Sequence, residues 1–217
     1  FLRLLPSIRL VAVCNTLAYA NSRDDSDIDF FIVTRPGTIW TTRLMTNLFT
    51  AALRVRPRAH VGRDTICLTF FTTPETLDFR SLQRHPQDLY LHYWINQLVP
   101  LADRDGTYDQ FFLANNWLRS HLPYFRPYRS GHRRRVDALR RSHTVPDAQP
   151  TGAASRLIER TARVLQQRIL PAHLRAMANR DTRVIVNDHM LKFHDKDRRD
   201  QYRQAFERRF RSVVAPS

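Results

Sequence analysis

The stretch Val11-Ala12-Val13-Cys14-Asn15-Thr16-Leu17-Ala18, followed by Asp27-Ile28-Asp29-Phe30-Phe31-Ile32-Val33, decides how this chain is read. An apolar run ends in a small polar turn, ten residues intervene between Thr16 and Asp27, and a second apolar run begins. In a β-strand alternate side chains share a face, so Asp27 and Asp29 point one way and Ile28 and Phe30 the other. Two neighbouring carboxylates repel unless a positive charge sits between them. A pair heading a strand as apolar as Phe-Phe-Ile-Val therefore points to a hard divalent cation, Mg²⁺ above all, which binds through carboxylates and substrate phosphates. The residues alone leave a second reading open: Arg23-Asp24-Asp25-Ser26-Asp27 also has the composition of a solvated turn.

Residues 10 to 34, with looser agreement to about residue 80, resemble the nucleotidyltransferase superfamily, the DNA polymerase β-like fold and its minimal members. That family's signature is a strand ending in Gly-Ser or Gly-Gly, roughly ten residues, then Asp-hydrophobic-Asp-hydrophobic. Here Asn15-Thr16 stands where Gly-Ser would be, and Asp27-Ile28-Asp29-Phe30 supplies the metal half, with Ser26 completing a Ser-Asp-Ile-Asp run. Asn tolerates φ > 0, so the turn can survive the exchange. The resemblance implies that Asn15 and Thr16 hold NTP phosphates, aided by amides of the short helix after them. It likewise puts Ser26 beside the nucleotide and makes Asp27 and Asp29 the catalytic, Mg²⁺-binding pair. It also implies an α+β fold, a palm-like core with a short mixed sheet and flanking helices.

The third strand, Thr65 to Thr72, departs from the pattern. Active members carry a third carboxylate there, and residues 65–73 contain none. Asp64 precedes the strand and Glu75 and Asp78 follow it, and nothing in the spacing chooses between them. Cys14 and Cys67 lie in apolar runs and read as buried thiols, with neither a disulfide framework nor a metal site suggested by their number.

A chain of 217 residues with 42% hydrophobic content can bury a core. No apolar run approaches the ~18–20 residues needed to span a bilayer, and the opening Phe-Leu-Arg-Leu-Leu-Pro lacks a signal-peptide pattern. Together with the thiols this places the chain in the cytoplasm. Phe1 rather than Met at the start leaves room for upstream sequence. The charge is uneven: residues 1–120 carry 13 Arg and 11 acidic residues, whereas residues 121–217 carry 20 Arg, 2 Lys and 9 acidic residues. A basic half of that size suits RNA or another polyanion, although 33 Arg against 2 Lys also fits simple codon bias.

Four regions follow. Residues 1–82 form the nucleotidyltransferase-like core, in which Trp40, Leu44, Leu48 and Ala52, with Met45, Phe49 and Leu53, mark the inner stripe of a helix that Pro57 ends. Residues 83–125 read as a helical hairpin turning at Asp103-Arg104-Asp105-Gly106, and its aromatics read as core. Residues 126–152, with His132-Arg133-Arg134-Arg135, form a basic connector. Residues 153–217 form a basic, mostly helical C-terminal region, with Leu157, Ile158, Ala162, Leu165 and Ile169 along one helix side and a short strand at Val184-Ile185-Val186. The last helix carries Tyr202, Phe206 and Phe210 at i, i+4 and i+8, which requires a surface to pack on. Both lysines, Lys192 and Lys196, fall near one stretch. Lys192 is a candidate nucleotide contact because a compact ammonium suits phosphate, and His194 is a candidate base; surface charge is the plainer alternative for both.

Two functions follow from these residues. One is a Mg²⁺-dependent transfer of a nucleoside monophosphate from an NTP to an acceptor hydroxyl, with RNA as an acceptor that fits the charge. The other is a catalytically degenerate module that grips RNA or an acidic partner through its C-terminal half. Transfer to a small molecule ranks last, because it leaves the charge asymmetry unexplained.

Overall fold

The computed structural model describes residues 2–24, 26–55, 65–128 and 152–214. Asp64 and most of the basic connector lie outside them. The elements run β1 (Ile8–Val13), α1 (Asn15–Ala18), β2 (Ile28–Thr34), α2 (Ile39–Ala52), β3 (Ile66–Thr72), α3 (Leu89–Asn96), β4 (Val99–Asp103) and α4 (Thr107–Ala114). After the connector come α5 (Ala153–Ile169), α6 (Ala172–Met177), β5 (Val184–Val186), β6 (Met190–Phe193) and α7 (Arg199–Val214). The six strands form one mixed sheet in the order β4-β1-β2-β3-β6-β5. β2 and β3 are parallel and joined through α2; every other neighbouring pair is antiparallel. The fold is α+β.

Both faces of the sheet are covered, which is why β1 is buried along its whole length. On one face Leu10, Ala12, Phe31, Val33 and Phe70 pack under α3 and α4 through Trp94, Ile95, Phe111 and Phe112. On the other, Val11, Ile32, Phe71 and Leu191 pack under α2, α5 and α6. Asn115, fully buried, clips the first layer: its Oδ1 accepts from the Phe79 amide while its Nδ2 donates to the carbonyls of Leu77 and Phe111.

Three expectations need correction. The stretch read as a helical hairpin contains β4 between its two helices. Pro100 disguises that strand, and it is tolerated because β4 is an edge, where a missing N–H breaks no inner ladder. The C-terminal half has its three helices and the expected strand at Val184–Val186 (β5), but also β6, which joins the sheet against β3; β6 is only four residues long and offers little pattern. The third correction concerns α2. Trp40 is buried as expected, with Ile39 beside it, but further along the buried face is Thr42, Thr46 and Thr50, while Met45, Leu48 and Leu53 are exposed. The hydroxyls bond Ser7 and the helix's own carbonyls, so these short side chains satisfy themselves while lying close to the sheet.

The same inversion occurs on α5, where Ala162 and Gln166 are buried and Leu157, Ile158, Leu165 and Ile169 are exposed. Polar contacts fix that choice. Glu159 of α5 accepts from the amides of Trp40 and Thr41, capping the first turn of α2 from outside the helix. Gln166 donates to the Trp40 carbonyl and accepts from Arg43. α7 packs on α3, with Tyr202 stacked on Tyr90, although Tyr202, Phe206 and Phe210 all stay about half exposed.

Arg199 anchors that C-terminal segment. Its guanidinium pairs with Asp88 at 3.0 Å and Asp197 at 2.7 Å and also donates to the Leu82 carbonyl and the Thr182 hydroxyl. Asp88 in turn caps α3 by accepting from the Leu91 amide. Arg199→Ala is expected to cost roughly 3–5 kcal/mol in urea denaturation, because it leaves Asp88 buried without its cation. A loss below about 1 kcal/mol, the worth of a surface pair, would contradict this role.

Candidate active site

β1 and β2 lie side by side, so the turn after β1 comes to the start of β2, where Asp27 and Asp29 sit. Asn15 takes φ +57°, as the Gly-to-Asn exchange requires. Its Nδ2 donates to Asp29 Oδ2 at 2.7 Å. Its Oδ1 accepts from Trp94 Nε1 at 2.9 Å and from the Tyr90 hydroxyl at 3.2 Å. The Asn15 side chain therefore orients Asp29 and is itself held by Trp94 and Tyr90.

Asp27 and Asp29 share a face, as alternation demands, and a third group joins them. Carboxylate oxygens of both residues and Cys67 Sγ lie within 4.8 Å of one another. Cys67 sits directly across from Asp29 in the parallel β2–β3 register. Between there and the next paired positions, β2 advances from Asp29 to Phe31 while β3 advances from Cys67 to Phe70. That extra residue is a bulge, and it lets Cys67 and Phe70 serve the same face despite their odd spacing. Cys67 was legible as a thiol in an apolar strand but not as part of the site, because the bulge cannot be read from alternation.

The electrostatics suit a cation. Burial raises the Asp29 pKa, the Asn15 hydrogen bond pulls it down, and the charge of Asp27 raises it again. The Cys67 thiol is pushed up by burial and by Asp29, and Cys14 beneath it in the same way. Two carboxylates and a sulfur are a mixed donor set: oxygen suits Mg²⁺ and Mn²⁺, sulfur the softer divalent ions.

The remaining sequence candidates fall elsewhere. Thr16 is exposed on α1. Ser26 Oγ accepts from the Arg23 amide and so shapes the loop ahead of Asp27. Glu75 and Asp78 follow the far end of β3, whose start is what faces Asp29, so neither completes the site. Glu75 lies 4.0 Å from His189, and Asp78 accepts from the Arg80 amide. Lys192 is buried in β6 and donates to the carbonyls of Thr182 and Arg183; burial and the Arg199 charge bring its pKa down to about 8. His194 falls to about 3 through burial, Lys192 and Arg199, which leaves a neutral imidazole too weakly basic for the role of general base.

Neither a family model nor a curated protein matches the chain. Among solved structures, a chain from a crystal structure of a toxin–antitoxin with AMP-PNP is similar over 54% of this chain and 79% of its own, at 11% identity and a TM-score of 0.31. A superposition that loose carries neither fold nor function across. Among the described residues no helix is long and apolar enough to cross a membrane.

The buried histidines set a pH dependence. His92 is lowered to about 4 by burial and by His121, and His194 to about 3. Both folded values lie below the ordinary ~6.5, so below that pH the unfolded chain takes up protons that the folded chain refuses. Stability is therefore expected to fall as pH drops from about 6.5 toward 4, read as a declining urea midpoint. His92→Gln should flatten part of that slope; an identical slope in the variant would contradict the assignment.

Proposed function

We propose that the protein is a Mg²⁺- or Mn²⁺-dependent nucleotidyltransferase that moves a nucleoside monophosphate from an NTP to an acceptor hydroxyl. The observation that carries this reading is the convergence of Asp27, Asp29 and Cys67 within 4.8 Å on one sheet face, next to a turn held open by Asn15. These three residues would hold a divalent cation, which would supply positive charge against NTP phosphates, the main electrostatic need of phosphoryl and nucleotidyl transfer. The chain's own residues do the positioning. Asn15 fixes one oxygen of Asp29, Tyr90 and Trp94 fix Asn15, and the exposed Thr16 next to Asn15 in the chain would meet the NTP phosphates. Ser26 acts through the shape of its loop, and Lys192 through the packing of β6.

A second reading keeps the fold and drops the chemistry: a degenerate module that binds RNA or an acidic partner through the basic C-terminal half. Exposed Arg160, Arg163 and Arg168 on α5 favour it, together with a thiol where the resembled family has a carboxylate. In filter binding, phosphate contacts would make log affinity fall steeply with log salt.

Transfer from α-labelled NTPs to total RNA, with Mg²⁺ or Mn²⁺, separates the two. Wild type is expected to label the acceptor, and Asp27→Ala/Asp29→Ala to fall to background. No labelling by wild type with any NTP, alongside salt-sensitive RNA retention, would select the second reading.

A further inference from the structure

A cavity of about 140 Å³ opens on the same sheet face, between α3, β6 and the start of α7. Its walls are aromatic: Phe70 stacks on Trp94 with ring centroids 5.4 Å apart, and Tyr90 stacks on Tyr202 at the same distance. A void of this order accepts a single planar ring. Its charged lining is mostly cationic, with Lys192, Lys196, Arg198 and Arg199 against Asp197, whose charge is taken up by Arg199. Lys196 and Arg198 are exposed at its edge. The His194 ring is part of its lining, although its Nδ1 is turned away into the packed interior.

Aromatic walls beside a cationic rim suit a flat ring that carries negative charge, since the ring gains by stacking and the anion by the exposed Lys196 and Arg198. The cavity is also wired to the carboxylates. Tyr90 and Trp94 line it, and both donate to the Asn15 oxygen whose amide nitrogen holds Asp29.

We propose that this cavity is a nucleotide subsite: a base inserts among Tyr90, Trp94 and Tyr202 against the His194 ring, and its phosphate lies toward Lys196 and Arg198. The shared chemistry is a heteroaromatic ring carrying phosphate, supplied either by the incoming NTP or by a terminal nucleotide of an RNA acceptor. The subsite deepens the nucleotidyltransferase reading, yet its occupancy can be measured without turnover.

The test is calorimetric titration of the full chain, in EDTA, with each nucleoside monophosphate, with a short 3′-hydroxyl RNA, and with ribose 5-phosphate as the base-free control. Nucleotide binding is expected, with ribose 5-phosphate weaker by at least about tenfold, the scale of one lost base stack. His194→Ala and Tyr202→Ala should each weaken nucleotide binding by about tenfold, on the same scale. Tyr202 is half exposed, so its variant tests the cavity even where the His194 variant fails to fold. Binding that persists in EDTA separates this subsite from the metal-dependent chemistry. Tighter binding of the monophosphates assigns the NTP as the source, and tighter binding of the RNA assigns the acceptor. Equal affinity for ribose 5-phosphate, no change in either variant, or no binding at all would overturn the proposal.

Discussion

Two carboxylates set side by side at the head of a buried strand are the constraint on which the site depends. Burial and the charge of Asp27 raise the Asp29 pKa, while a hydrogen bond from Asn15 draws it back. Among the described residues neither carboxylate forms an ion pair with an arginine or lysine. A pair left so is an arrangement that a divalent cation would complete. Tyr90 and Trp94 hold Asn15 from the other side.

The polar side chains of this protein do more to set the architecture than its apolar stripes. Glu159, Gln166 and the threonines of α2 decide which helical faces turn inward, and the apolar residues that periodicity would bury are left outside. Arg199 does the same for α7, tying the C-terminal strand pair and helix to the cap of α3. The cavity between them exists because Arg199 holds α7 against α3 while Tyr202 and Tyr90 stack across its mouth.

The strands β1, β2 and β3, the helix between the last two and the shared face of Asp27 and Asp29 were legible, because each rests on local alternation or spacing. The positive φ at Asn15 was legible for the same reason, since few residues other than glycine accept it. β4 and β6 were not, because one is short and carries a proline and the other is four residues with no repeat. Cys67 escaped because its place in the cluster depends on a bulge and on the register of two strands far apart in sequence. The burial of Lys192 against backbone carbonyls and the bonds of Asn15 to Asp29, Tyr90 and Trp94 are contacts that a linear sequence does not display.

The central claim is that Asp27, Asp29 and Cys67 together hold a divalent cation. Titrating the protein with Cd²⁺ and following the ultraviolet thiolate-to-cadmium charge-transfer band tests it directly. The account predicts a saturable band that Cys67→Ser abolishes, that Asp27→Ala/Asp29→Ala weakens strongly and that Mn²⁺ displaces. A band that persists in Cys67→Ser, or that is indifferent to loss of both aspartates, would contradict it.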